Sequence, residues 1–176
     1  MNLMKNKIFL SLGSNIGNRK KNIISALSFL QSSGFVKINK ISSYYETSPV
    51  GPKQRDFYNI TVKAITILTP GDLLRLVKRT EEILGRKPST RWRARFIDID
   101  ILFYNNKVVN SSLLAPSSSP RLTVPHKEIC NRLFVLIPMV EIAPDFIHPV
   151  LNKQIRHILE KKLLTLGNQK VKIINK

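Results

Sequence analysis

The sequence predicts an α+β sandwich: a mainly antiparallel sheet with helices on one face and additional helices at the C-terminal end. Three observations carry that expectation. Runs rich in β-branched and aromatic residues alternate with runs whose apolar residues recur at helical spacing. The order is strand, helix, strand, strand, helix, strand, which is that of a ferredoxin-like sandwich. The 176 residues, 43% of them hydrophobic, suit one domain over 1–176 with a sizeable core.

Lys7 to Leu12 reads as the first strand, and the turn-forming "GSNIGN" follows it. A helix is expected from about Asn18, with Ile23, Leu27 and Leu30 on one face and Gly34 as its stop. Val36 to Tyr45 and Phe57 to Leu68 read as two strands, separated by the loop "ETSPVGPKQRD" with its prolines and glycine. The second helix has clear signals. Thr69 caps it, Pro70 suits its first position, Asp72 favours the N-terminal dipole and Gly85 ends it. Leu73, Leu74, Val77 and Leu84 supply its apolar stripe. Then come the basic loop "RKPSTRWRAR", a strand within 96 to 104 and a polar stretch to Pro120. Two further helices are expected over Asn131 to Ile142 and Lys153 to Leu164. Such a fold hosts many activities and decides none.

Composition narrows the classes. Twenty-nine Lys and Arg against 11 Asp and Glu leave a formal charge of +18. That invites a polyanion, yet no block of like charge reaches the five or six residues of a binding tail. "RKK" and "EKK" come nearest. Nucleic acid is therefore not expected as the main partner, and a small phosphorylated ligand explains the clustered arginines as well. Cys130 is the one cysteine, which rules out an internal disulfide and fits a reducing compartment. The apolar stretch near the start is only "IFLSL" before Gly13, Ser14 and Asn15, too short for a signal peptide. No run is long enough to span a bilayer. A cytoplasmic protein is expected.

The chemistry centres on "FIDIDILFY", residues 96 to 104. Asp98 and Asp100 interrupt what is otherwise a buried strand. Residues two apart share a strand face, so the carboxylates stand side by side and repel unless something positive lies between them. Divalent cations would do, since Mg²⁺ takes one or two carboxylates together with phosphates and water. Arginines in structural salt bridges would also do, and for an isolated D-x-D that is the commoner case. Arg86, Arg91, Arg93 and Arg95 precede the pair, as in a polyphosphate clamp. Trp92 among them could stack on a base or fold over a site. His126 reads equally as a surface histidine after a proline turn, and Cys130 as a small buried residue. No Walker loop, GxGxxG or zinc spacing is present. An RNA-recognition module shares the strand order, but its aromatic motif is missing.

The pieces "SLGSNIGNR", "YETSPVG", "DFYN", E-x-x-x-GR, "RWRARFIDIDILFY", "VPH" and "NRLFVLIPMVEIAP" follow one another in order from about Ile8 to Pro149. In that order they closely resemble the 6-hydroxymethyl-7,8-dihydropterin pyrophosphokinase family of folate biosynthesis. The resemblance implies a ferredoxin-like monomer that moves the pyrophosphoryl unit of ATP onto the pterin hydroxymethyl oxygen and leaves AMP. It implies that Asp98 and Asp100 hold two Mg²⁺ ions, and that Arg86, Trp92, Arg95, His126 and Arg132 contact ATP, with Lys78 and Glu81 as lesser contributors. Arg86 and Arg95 join the two aspartates as catalytic residues. Asn59 would hydrogen-bond the pterin, Phe57 and Phe134 would sandwich its ring, and Thr47, Ser48 and Val50 would offer backbone groups to its edge. Phe134 reads also as core packing of an apolar helix.

The chain departs from the family pattern in three places. Arg93-Ala94 stand where Gly-Pro usually follows the tryptophan. The segment from Arg86 to Trp92 is a residue short, with Pro88 and Ser89 where another arginine is often found. Phe57 replaces a frequent tyrosine. A nucleotidyl transferase on the same fold is the nearest rival enzyme, and the aromatics around Asn59 argue against it.

Overall fold

Alternation along the first strand decides the layering. In β1 (Asn6–Ser14), Ile8, Leu10 and Leu12 point to one face, and Phe9, Ser11 and Gly13 to the other. The computed structural model describes residues 4–86, 94–110, 121–166 and 169–174. After β1 come α1 (Arg19–Ser32), β2 (Val36–Ile41), β3 (Tyr44–Thr47), β4 (Phe57–Thr66), α2 (Pro70–Ile83) and β5 (Asp98–Tyr104). The C-terminal part adds β6 (Val109–Asn110), β7 (Thr123–Val124), a 3-10 turn at Ile129–Asn131, α3 (Leu133–Ile142), β8 (Ile147–His148), β9 (Lys153–Gln154), α4 (Ile155–Leu163) and β10 (Val171–Ile174). The main sheet runs β10-β3-β4-β1-β5, with β2 also on β4, and its pairings are antiparallel.

On one face Ile8, Leu10 and Leu12 meet Ile23, Leu27 and Leu30 of α1 and Leu73, Leu74 and Val77 of α2. Each such buried side chain contributes about 1.5–3 kcal/mol through removal from water. The expected cap at Thr69 forms, its Oγ1 accepting from the Asp72 N–H at 3.2 Å; α1, expected from about Asn18, is capped there by the Asn18 side chain, which accepts from the Lys21 N–H at 3.0 Å. Gly85 follows α2 at φ 95°, a conformation that costs glycine nothing. On the other face Phe9 and Phe103 pack under Val135 and Met139 of α3 and Ile155 and Ile158 of α4. The two C-terminal helices thus cover part of that face and leave the end near Gly13 uncovered.

The run from Val36 to Tyr45, expected as one strand, is two. Ser42 breaks it: its N–H donates to Thr61 O at 2.9 Å, while its hydroxyl replaces a main-chain acceptor for the Thr61 N–H, also at 2.9 Å. The freed N–H of Ser43 goes instead to Glu141 on α3, and the same carboxylate accepts from the Tyr45 hydroxyl at 2.9 Å. One acid thereby fastens α3 to β3. The helix expected from Asn131 begins at Leu133, after the 3-10 turn, because Arg132 is extended (φ −127°, ψ 100°). The helix expected from Lys153 begins at Ile155, since Lys153 and Gln154 pair with His148 and Ile147. Strand β10 was not anticipated. Its "VKII" is too short and too lysine-flanked to stand out against its surroundings.

His148 pins the β8–β9 turn. Its ring stands edge-on to Phe103 at 5.4 Å, and Nδ1 accepts from the N–H groups of Val150 (3.2 Å) and Leu151 (3.3 Å). Burial holds its pKa below the ordinary 6.5. The folded protein therefore binds this proton more weakly than the unfolded chain. The stabilisation is complete above 6.5 and is lost as pH falls below it. We expect the melting temperature to decline from about pH 7 to about pH 5 and the decline to be shallower in His148→Asn, as scanning calorimetry at several pH values would show. Equal slopes for both proteins would exclude His148 as the source.

Candidate active site

The uncovered end of the sheet is built from small residues on the central strand. Gly13 pairs with Asn59 of β4 on one side and Asp98 of β5 on the other; Ser11 pairs with Thr61 and Asp100. A Cβ on Gly13 would lie 2.5 Å from Asn59 Oδ1, closer than atoms pack. Absence of a side chain there lets the Asn59 amide lie flat over the sheet. Asn59 is buried and donates through Nδ2 to Thr47 Oγ1 at 2.7 Å, so its carbonyl edge and second N–H have fixed directions.

Above this floor is a cavity of about 480 Å³. Of the residues singled out from sequence, Thr47, Ser48, Val50, Phe57, Asn59 and Phe134 line its β3–β4–α3 side. Arg95, Asp98, Asp100, His126 and Arg132 line the opposite side. A second cavity, about 370 Å³, adjoins the first at Asp100, His126 and Lys127 and is walled by Leu74, Lys78, Ile99 and Ile101. Arg86 lies behind the first cavity and reaches it through Asp98. Glu81 is fully buried beneath β5. Trp92, with Arg91 and Arg93, lies outside the described residues.

Arginines neutralise the two carboxylates. Asp98 accepts from Arg95 through one oxygen and pairs with Arg86 at 2.9 Å through the other. Asp100 pairs with Arg132 at 2.9 Å and has His126 Nε2 at 3.8 Å. Burial alone would push the Asp98 carboxyl up, but the Arg95 and Arg86 guanidiniums outweigh it and hold its pKa below the ordinary carboxylate value. Burial pushes His126 down, against the pull of Asp100. Burial also pushes Glu81 up, opposed by Lys78 at 2.9 Å. Glu81 accepts the N–H of Ile99 at 2.7 Å and pairs with Arg86. It therefore anchors both β5 and the arginine behind Asp98.

The aspartates make salt bridges, and those bridges line a cavity rather than a sealed core. Their side chains are 25% and 28% exposed. Among the described residues no three His, Cys, Asp or Glu side chains gather to hold a metal. The donor set is two hard carboxylates facing a cavity that Arg95, His126 and Arg132 also line. That suits Mg²⁺ shared with phosphate oxygens and does not suit a closed protein cage.

Sequence reasoning missed several contributors. Ser11 and Gly13 sit in "SLGSN", where small residues interrupt an apolar alternation, and that interruption was the available signal. Asn15, 2% exposed, joins the two walls. Its Oδ1 accepts from the Arg95 N–H at 2.7 Å, and its Nδ2 donates to Gln54 Oε1 at 2.9 Å and Arg55 O at 3.2 Å. Nothing in a single asparagine foretold that.

Residues 9–144 match the family model for 7,8-dihydro-6-hydroxymethylpterin-pyrophosphokinase. A 2-amino-4-hydroxy-6-hydroxymethyldihydropteridine pyrophosphokinase of Aquifex aeolicus is 37% identical over 158 residues, covering 89% of this chain and 92% of its own. The protein of that name from Bacillus subtilis is 39% identical over 141 residues, 80% of each chain. Among solved structures, a Plasmodium falciparum HPPK-DHPS chain is 18% identical with a TM-score of 0.75, which shows the fold. It covers 95% of this chain, which spans only 47% of the Plasmodium one. With the motifs built into one cavity and the match running through most of the residues, the chain belongs to the 7,8-dihydro-6-hydroxymethylpterin-pyrophosphokinase family.

Proposed function

We propose that this chain transfers the pyrophosphoryl unit of ATP to the hydroxymethyl oxygen of 6-hydroxymethyl-7,8-dihydropterin, giving AMP and the pterin diphosphate in tetrahydrofolate biosynthesis. One observation carries the reading: the Asn59–Thr47 pair, with Phe57 and Phe134, opens into the same cavity as Asp98 and Asp100. A flat heterocycle that needs hydrogen bonds at its edge and stacking on its faces fits the first group. A polyphosphate fits the second.

In this reading the pterin lies between Phe57 and Phe134, with its amide edge on Asn59 and the backbone of Thr47, Ser48 and Val50. The adenosine end of ATP occupies the second cavity beside Lys78, and its phosphates cross Asp100 and His126 into the first. Two Mg²⁺ ions on Asp98 and Asp100, shared with the phosphates, would neutralise charge and acidify the attacking hydroxyl. The guanidinium groups of Arg95 and Arg132 offer donor forks that match phosphate oxygens. Arg95 stabilises the developing charge on the transferred group, and Arg86 supports the site from behind through Asp98. Glu81 holds Arg86 in place from below. Aligning attacking and leaving oxygens is the larger part of such catalysis. Opposite walls joined through Asn15 provide that alignment.

The same reading has one domain over 1–176 act as a cytoplasmic monomer, with pterin and ATP as its partners rather than nucleic acid. The lone cysteine supports the compartment. Among the described residues no helix is long and apolar enough to cross a membrane.

Incubating the protein with ATP, Mg²⁺ and 6-hydroxymethyl-7,8-dihydropterin should yield AMP and the pterin diphosphate, and chelator should stop it. Calorimetric titration should also show weaker ATP binding with chelator present; equal binding in both would count against metal at the aspartates. Asp100→Ala should lower turnover by about a thousandfold or more, because it removes charge stabilisation of the transition state. The Asp100–Arg132 pair opens onto the cavity, its side chains 28% and 30% exposed, and is worth about 1 kcal/mol or less, so the melting temperature should barely move. A protein clearly destabilised yet still active would refute the metal-ligand assignment. Gly13→Ala pushes the Asn59 amide aside. It should raise the pterin KM about tenfold or more while leaving ATP affinity intact, and a pterin KM within twofold of wild type would sink the assignment of Asn59.

A further inference from the structure

Arg132 occupies the N-cap position of α3, where no side chain of the helix's own caps the first N–H groups. The cap comes from 36 residues further along the chain. Gln169 Oε1 accepts from the Leu133 N–H at 2.9 Å, and Gln169 Nε2 donates to Asn131 O at 2.9 Å. These are the two peptide groups on either side of Arg132. One primary amide therefore holds both peptide planes that set the backbone angles of Arg132, and with them the direction in which its guanidinium leaves the chain towards Asp100. Gln169 is itself placed by main chain: its N–H donates to Leu166 O at 3.0 Å. The next residue, Lys170, accepts the N–H of Ser48 at 3.3 Å, and β10 then pairs with β3 in a register that sets Val171 against Thr47. Residues 169–174 touch the arginine wall through a side chain and the Thr47–Ser48 wall through backbone. All of them lie beyond residues 9–144.

We propose that Gln169 is a positioning residue for the transfer reaction, acting through Arg132. The inference rests on the reading of Arg132 as a ligand of ATP. A neutral amide suits the task because it supplies one acceptor and one donor in a fixed plane. Glutamate at this position keeps the acceptor for Leu133 and loses the donor to Asn131. Alanine loses both. The Thr47–Ser48 wall depends on main-chain pairing and is untouched by either change.

The test is a double-mutant cycle in the full chain, read as the Kd of Mg²⁺-ATP by calorimetry and as the KM of each substrate. Gln169→Ala should weaken ATP about tenfold, the loss expected from one or two neutral hydrogen bonds, with the pterin KM unchanged. Gln169→Glu should fall between it and wild type. On an Arg132→Ala background, Gln169→Ala should cost less than about twofold, since its route of action is gone. Melting curves taken first set a temperature at which all variants are folded. An equal loss on both backgrounds, or a loss shared by both substrates, would mean general destabilisation and overturn the proposal, as would wild-type ATP affinity in Gln169→Ala. If the cycle couples but no pterin diphosphate forms with wild type, the assigned reaction fails while the role of Gln169 stands. If wild type turns over and the cycle is flat, the positioning role fails alone.

Discussion

The two-residue period of β1 is the constraint on which the site depends. Ile8, Leu10 and Leu12 must face α1 and α2 to close the larger core, and that obligation sends Phe9, Ser11 and Gly13 to the opposite face. Register then aligns their neighbours: Asn59 and Asp98 flank Gly13, and Thr61 and Asp100 flank Ser11. A slip of one residue would bury both aspartates against the leucines of α2. Phe9 marks where the second face turns from hydrophobic core to binding floor, because beyond it only small residues follow. The core and the site are thus two consequences of one pairing.

Electrostatics on this floor explains how two neighbouring acids can share a strand. Repulsion between Asp98 and Asp100 is countered by Arg95 and Arg86 on the first and Arg132 on the second. Those cations come from three segments, and each is anchored separately. Arg86 is tied to the buried Glu81, the Arg95 backbone to Asn15, and the Arg132 backbone to Gln169. Elsewhere Glu46, Asp72 and Asp145 are likewise paired, with Arg19, Arg75 and Arg156. With so many acids engaged internally, much of the +18 charge resides in lysines at the surface.

What the sequence disclosed followed from local rules. The cap at Thr69, the helical stripe of α2 and the same-face relation of Asp98 and Asp100 are properties of a few adjacent residues, and the structure repeats them. Eleven of the motif residues line one cavity, while Lys78 lines the adjoining one, Arg86 and Glu81 lie behind, and Trp92 lies outside the described residues. The features that escaped depend on pairs distant in sequence. The break at Ser42–Ser43 needs Glu141, nearly a hundred residues away. Strand β10 exists because β3 offers it an edge. Asn15 and Gln169 act through backbone groups of other segments, and no residue type announces such a partner.

The difference between motif residues and their supports has a physical consequence for how the site tolerates change. In the proposed reaction Asp98, Asp100 and Asn59 act through side-chain atoms that must face the cavity, so only a narrow choice of residue serves. Gln169 works by holding two peptide groups, and any planar side chain with a donor and an acceptor at that reach would serve. A support of this kind can arise in a C-terminal extension without altering the floor it steadies. It can equally be replaced by other capping chemistry at the start of α3, such as a serine or aspartate in the N-cap position. That position is taken here by Arg132, whose guanidinium carries donors only and so cannot accept from the N–H groups of its own helix. Giving the N-cap position to an arginine is what makes an external amide necessary.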